Sequence, residues 1–348
     1  MLFKRKVCLF ALFCGIIFVM IASHTIQKNN ILSMTLAETH VTSRGVLSPE
    51  VNRTPAPLSI TSSSPNRICG CPSCKEVSQW FNKHYDPKQQ PFLTDKVSSM
   101  DPLALKWWLA LQRSAGEQTV YDVIQKMFQV ITPPSMNVKS KSTQCLKCAV
   151  VGNSGNLLDC QCGSLIDTHN NIIRMNKATT MGFEADVGNR TTHHFMYPES
   201  AVDIAHGVHL VLLPFKLRDL EWVASALSTG EIKRTYMRVK DRVRADKDKV
   251  IVVNPAFFKY THDQWTEHHG RYPSTGMLAI VFALHICDEV SVFGYGADQQ
   301  GSWHHYWEDN KYGGAFRRTG VHNADFEMEV IQRMATEGII KLHRRCTG

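Results

Sequence analysis

Cys148-Ala-Val-Val-Gly-Asn-Ser-Gly-Asn-Leu157 is the stretch on which the fold of this chain hinges. Its apolar run, Ala149 to Val151, opens onto Gly152-Asn153-Ser154-Gly155. That pattern reads as a buried parallel strand ending in a tight turn, because glycine permits positive φ and lets a ligand approach the backbone closely. In an open α/β sheet, ligands bind outside the carboxyl ends of the strands, where such a turn sits. On these residues alone, a nucleotide-holding turn and an ordinary strand-to-helix turn both remain open.

Downstream, short apolar runs alternate with stretches of helical periodicity. Strand candidates are 149–152, 172–175, 194–197, 209–213, 250–253, 290–293 and 339–343, and helix candidates are 218–228, 262–269, 274–287 and 325–337. Helices interleaved with short buried strands predict a three-layer, mostly parallel α/β domain. Upstream, Leu103, Leu105, Trp107, Trp108 and Leu111, then Val120, Val123, Ile124, Met127 and Phe128, recur at helical spacing. They predict two amphipathic helices capping the sheet domain.

The 348 residues, 43% of them apolar, suffice for one large domain with appendages. A formal charge of +8 suits anionic substrates, a membrane surface or simply a solvated basic surface. No basic motif interleaved with aromatics points to nucleic acid. Lys4-Arg5-Lys6 precede an unbroken apolar run from Val7 to Ala22. The favoured reading is an uncleaved anchor with its basic tail in the cytosol, and a signal peptide cleaved near Ala22 competes with it. The expected organisation is a tail at 1–6, a transmembrane helix at 7–23, a lumenal Ser/Thr/Pro-rich stem at 24–67 and a folded domain at 68–348. The short run suits a thin early-secretory bilayer. In an oxidising lumen Asn52 and Asn189, each in an Asn-Arg-Thr sequon, are N-glycosylation candidates. Of the 11 cysteines, Cys8 and Cys14 fall in the anchor, and the remaining set is odd, so at least one is free or pairs between chains.

A second informative stretch is His269-Gly-Arg-Tyr-Pro-Ser-Thr-Gly276, followed by an apolar helix to Cys287 and by Val290-Ser-Val-Phe-Gly-Tyr-Gly296. Ser274, Thr275 and Gly276 open that helix, where hydroxyls and backbone N–H groups can hold an anion, although capping alone also explains a Ser-Thr pair. Here the chain resembles the animal sialyltransferases. Residues 148–157 look like their long sialyl motif and 269–296 like the short one. His304-His-Tyr-Trp-Glu308 resembles the third motif, and His322 with Glu327 the very short His-x4-Glu motif. Gly182-Phe-Glu-Ala-Asp-Val-Gly188 and Gly313-Gly-Ala-Phe316 are similar to the β-galactoside α2,3 subgroup acting on Galβ1-3GalNAc.

The resemblance implies a sialyltransferase variant of the nucleotide-sugar transferase α/β fold and CMP-sialic acid as donor. It implies nucleotide contacts from Asn153, Ser154, Asn176, Ser274, Thr275, Gly276, Gly294 and Gly296, and phosphate contacts from Tyr197, Tyr236 and His305. Gln112 and Tyr272 would meet the acceptor, and His322 would be the catalytic base. It also implies disulfides Cys69–Cys74, Cys71–Cys145 and Cys148–Cys287. Cys160, Cys162 and Cys346 depart from the family pattern and have no assigned partner. The implied acceptors are galactose-terminated O-glycans or glycolipids, and the implied setting is the Golgi membrane as a single-pass type II protein, with homo-oligomers an open question. A preference for Galβ1-4GlcNAc and a non-catalytic glycan-binding protein are the alternatives.

These roles agree with elementary chemistry. A glycosidic bond formed by expulsion of CMP needs a base for the galactose hydroxyl and donors for the developing phosphate charge. His322 just precedes a helical stretch, and the positive end of that helix disfavours its protonated form. No metal or other cofactor is expected: Asp246-Lys-Asp248 matches Asp-x-Asp but sits in an alternately charged run, and His193, His194, His268 and His269 lack metal-protease spacing and read as structural. A nicotinamide enzyme is disfavoured because Gly152-Asn-Ser-Gly155 is not Gly-x-Gly-x-x-Gly.

Overall fold

The computed structural model describes residues 78–95, 100–112, 117–134, 145–298, 300–309, 320–344 and 346. The expected anchor and stem, Asn52, Cys69, Cys71, Cys74 and the Gly313–Phe316 phrase lie outside them. In chain order the α-helices are α1 (Gln79–His84), α2 (Pro102–Leu111), α3 (Glu117–Phe128), α4 (Gly163–Asp167), α5 (Glu184–Val187), α6 (Leu217–Ala226), α7 (Pro255–Tyr260), α8 (Thr275–Ile286) and α9 (Ala324–Thr336). The strands are β1 (Lys147–Val151), β2 (Asn171–Met175), β3 (His193–Met196), β4 (His209–Leu212), β5 (Val250–Val252), β6 (Glu289–Phe293) and β7 (Lys341–His343).

They form one 7-stranded sheet in the order β5-β4-β3-β2-β1-β6-β7. Every strand pairing in it is parallel, so the expected mostly parallel sheet is wholly parallel. Parallel sheets are covered on both faces, which explains the apolar runs of β1, β4 and β5, whereas β3 opens on His193-His194 and the edge strand β7 is Lys341-Leu-His343. The order reverses at β1, whose neighbours are β2 and β6, and such a switch point opens a crevice at the strands' carboxyl ends.

Side chains alternate across the sheet as a period of two requires. Val150, Ile173, Phe195 and Val292 pack against α8, whose residues from Met277 to Ile286 are all buried. Ala149, Val151, Ile172 and Phe293 face the opposite side, against Leu157, Ile166 and Val187. A third cluster packs α2, α3 and α6 on β4 and β5 through Trp108, Ile124, Met127, Trp222, Leu210 and Val250. Asp101 caps α2 by accepting from the N–H groups of Leu103 and Ala104, with Pro102 at the first helical position. Trp108 crosses to donate to the Pro214 carbonyl at 2.7 Å.

One helix expectation needs correction. The helix expected over 262–269 starts earlier, at Pro255 behind the Asn254 cap, and passes through a π-turn at Thr261–Trp265. Beyond it, Glu267 and His268 both adopt positive φ, which no helix tolerates. Among the cysteines, Cys148 and Cys287 are bonded, joining β1 to the end of α8, and Cys162 is bonded to Cys346. Cys145 is disulfide-bonded. Cys160 is a buried thiol, and that burial pushes its pKa up to about 11. No helix among the described residues is long and apolar enough to cross a membrane.

Candidate active site

The two glycine turns meet at the switch point. Gly152 donates to the Phe293 carbonyl at 2.8 Å and Ser154 to the Gly294 carbonyl at 3.1 Å, so the loops after β1 and β6 are laced by backbone bonds. The approach leaves no room for a side chain: a Cβ on Gly152 would lie 2.3 Å from the Gly294 oxygen. Gly294 and Gly296 have φ of 69° and 89°. Ser154 Oγ donates to the Gly296 carbonyl at 2.7 Å. Asn153 Nδ2 donates to the Met175 carbonyl at 3.1 Å, while its Oδ1 is buried with no hydrogen-bond partner. An unpaired buried acceptor is a cost that folded proteins mostly avoid outside functional sites.

Two cavities adjoin here. One, of about 280 Å³, is lined by Asn153, Ser154, Ser274, Gly294, Gly296, His305, His322 and Glu327 among others. The second, of about 300 Å³, is lined by Gln112, Asn176, Tyr197, Glu199, Lys216, Tyr236, Tyr272, Thr275, Gly276 and His322 among others. Met175, Ser274 and His322 belong to both walls. The structure thus brings the residues expected to contact nucleotide, phosphate and acceptor, with His322, to two adjoining cavities. The presumed nucleotide set is split, with Asn176, Thr275 and Gly276 on the side of Gln112, and the phosphate set likewise has Tyr197 and Tyr236 on one side and His305 on the other.

His322 sits at the junction, two residues ahead of α9. Its Nδ1 lies 2.8 Å from the Tyr272 carbonyl, which can only accept, so a neutral ring holds its proton on Nδ1 and keeps Nε2 basic. Burial lowers its pKa below the ordinary imidazole value, and the Tyr272 carbonyl partly opposes that. Tyr272 stacks edge-on against it, ring centroids 5.0 Å apart. His305 lies flat on Trp307 at 4.6 Å with Nδ1 3.2 Å from Glu308. An antiparallel bridge between His305 and Ser154 ties that segment to the first glycine turn.

Sequence reasoning gave Glu327 no role beyond its motif, and the structure assigns it one. Its buried carboxylate accepts from Ser274 N at 2.7 Å and from Ser274 Oγ, holding the first turn of α8 against α9. Burial pushes Glu327 up to about 7, against the two Ser274 bonds. Also missed was Lys216, which bridges Glu199 at 3.1 Å and Asp219 at 2.7 Å and lies 4.9 Å from the centre of the Tyr236 ring. A lysine and an acid three residues apart just after a buried strand were the available signal. Asp246 accepts from Gly207 N at 2.8 Å and pairs with His206, and neither it nor Asp248 lines either cavity.

A wholly parallel sheet with a glycine-bounded crevice at its switch point is an architecture suited to holding a nucleotide. Residues 92–339 match the model of glycosyltransferase family 29 (sialyltransferase). The mouse CMP-N-acetylneuraminate-beta-galactosamide-alpha-2,3-sialyltransferase 2 is 52% identical over 281 residues, 80% of each chain. The pig alpha-2,3-sialyltransferase 1 of the same description is 48% identical over 285 residues, 80% of this chain and 83% of the relative. A crystal structure of a mammalian sialyltransferase in complex with Gal-beta-1-3GalNAc-ortho-nitrophenol superposes with a TM-score of 0.73 at 44% identity, covering 80% of this chain and 100% of that one. The chain belongs to glycosyltransferase family 29 and is a sialyltransferase.

Proposed function

We propose that the protein transfers sialic acid from CMP-sialic acid to the 3-hydroxyl of a terminal galactose, with Galβ1-3GalNAc of O-glycans or glycolipids as the acceptor and inversion at the anomeric carbon. The observation that carries this reading is the place of His322 on the shared wall of two cavities, with its Nδ1 committed to a backbone carbonyl. The cavity bounded by Asn153, Ser154 and Gly294 takes the cytidine end, and the cavity of Gln112 and Tyr272 takes the galactose. The galactose O3 attacks C2 of the sialic acid as its proton passes to His322 Nε2, and the bond from C2 to the phosphate oxygen breaks. Charge developing on the departing CMP is met by His305, Tyr197 and Tyr236, donors that converge on the junction from either side.

The α2,3 linkage and the acceptor rest on the names of the relatives and on the sequence phrases shared with that subgroup. No divalent metal takes part in the reaction, since CMP carries a single phosphate whose charge neutral hydrogen-bond donors can meet. The enzyme works in the Golgi lumen, held by the anchor at 7–23, with Asn189, exposed in the structure, as an N-glycan site. The test is a glycan-array screen with CMP-sialic acid, product linkage assigned by NMR, and CMP release measured with and without EDTA. Transfer confined to Galβ1-4GlcNAc, a 2,6-linked product, or loss of turnover with EDTA that manganese restores would each overturn its part of the proposal.

A further inference from the structure

The π-turn that continues α7 and the loop after it gather His262, Asp263 and His268, whose ligand atoms all lie within 4.8 Å of one another. Asp263 Oδ1 is 3.3 Å from Nδ1 of His262 and 3.4 Å from Nδ1 of His268. The other oxygen of Asp263 is taken by Lys259, one turn earlier. His262 Nε2 lies 3.3 Å from the Gly270 carbonyl, which only accepts, so a neutral His262 carries its proton there. Its Nδ1 then points a lone pair at a carboxylate oxygen that also only accepts. A positive charge between them resolves that opposition.

The arrangement is the one metal-binding histidines use, with one ring nitrogen on the ion and the other donating to a carbonyl. Two imidazoles and one carboxylate suit Zn²⁺, and tetrahedral coordination at about 2.0–2.1 Å places neighbouring ligand atoms about 3.3 Å apart. The backbone is bent to make the cluster: Glu267 and His268 hold φ of 45° and 62°, strain that non-glycine residues seldom carry without a function. The side chains of His262, Asp263 and His268 are 8%, 23% and 69% exposed, so an ion enters from solvent on the His268 side and keeps a position for water.

We propose that His262, Asp263 and His268 form a zinc-type divalent-cation site, apart from the reacting groups and independent of the function proposed above. Its position gives the ion something to hold. A Cβ on Gly270 would lie 3.1 Å from the Cα of His322, and Arg271 N donates to the Val321 carbonyl at 2.8 Å, so the loop the ion would pin lies under the base.

The test titrates the metal-stripped full chain with Zn²⁺, Co²⁺ and Mg²⁺ by calorimetry. Emission of Trp107, whose ring sits 5.2 Å from that of His262, is followed in parallel. The expected result is one saturable equivalent of Zn²⁺, tetrahedral Co²⁺ absorption without thiolate bands, and no response to Mg²⁺. The exposed His268→Ala should weaken Zn²⁺ by at least about tenfold, the scale on which even the outer partners of metal ligands matter. Its metal-free thermal midpoint and turnover should stay at wild type. The proposal fails if Zn²⁺ shows no saturable binding, if His268→Ala and Asp263→Asn keep the same affinity and stoichiometry, or if Co²⁺ reports thiolate ligands.

Discussion

The single histidine at the junction sets the sharpest expectations. Replacing His322 by Ala should lower single-turnover transfer by roughly 10² to 10⁴, the usual contribution of a general base, with CMP affinity near wild type. Since burial lowers its folded pKa, the neutral, competent form persists into mildly acidic conditions. The acid limb of the rate should therefore lie below the ordinary imidazole value of about 6.5 and disappear in His322→Ala. A variant retaining more than about a tenth of the rate with that limb intact would assign the base elsewhere. Glu327 behaves with the opposite sign. Its folded pKa, up to about 7, exceeds the ordinary 4.5, so its contribution to stability is fully present below the lower value and lost as pH rises through the higher. Between pH values of about 5 and 8, wild type should lose melting temperature relative to Glu327→Gln. Glu327→Ala, which strands Ser274 N, should cost about 1–3 kcal/mol of stability in denaturant unfolding. At this scale His322 was singled out only through its motif, and the structure places it on the wall of both cavities. The Lys216 bridge to Glu199 was not legible, because a salt bridge across 17 residues leaves no periodic trace.

At the scale of elements, the strands were the most readable part. A parallel sheet buried on both faces writes its central strands largely as apolar runs, and α8, apolar all round, declared itself the same way. α4 and α5, at 5 and 4 residues, are too short to show a helical period. α7 escaped because the apolar run of β5 leads through Val253 into its Asn254-Pro255 start. The glycine turns allow a direct comparison. Gly152→Ala would drive a Cβ to 2.3 Å from a backbone oxygen held by two hydrogen-bonded loops, so expression as folded protein and donor binding should both fail. Gly182→Ala meets nothing within 4 Å and pays only for its φ of +84°, about 1–2 kcal/mol, which circular dichroism melting should register without loss of transfer. Equal behaviour of the two would show that the crevice loops yield.

For the whole molecule, two disulfides between described residues tie together segments far apart in sequence. Cys148 and Cys287 are 139 residues apart, and opening that loop should cost on the order of 4 kcal/mol in the chain-entropy account, roughly 10 °C in melting temperature. Cys148→Ala with Cys287→Ala, followed by differential scanning calorimetry, measures it, and an unchanged midpoint would refute the account. The Cys162–Cys346 bond spans 184 residues, and nothing local in the sequence could have paired those two, just as the order of strands across β1 leaves no local mark. The common wall of the two cavities has a consequence for how tightly the chemistry is coupled. On the proposed assignment of the two cavities, a loaded donor beside an empty galactose chamber would present its reacting carbon to solvent along the path meant for the sugar hydroxyl. If His322 is the base, water there would meet the same nitrogen, and the expected outcome is slow hydrolysis of the donor without acceptor, which a galactose lacking its 3-hydroxyl should suppress simply by filling the space.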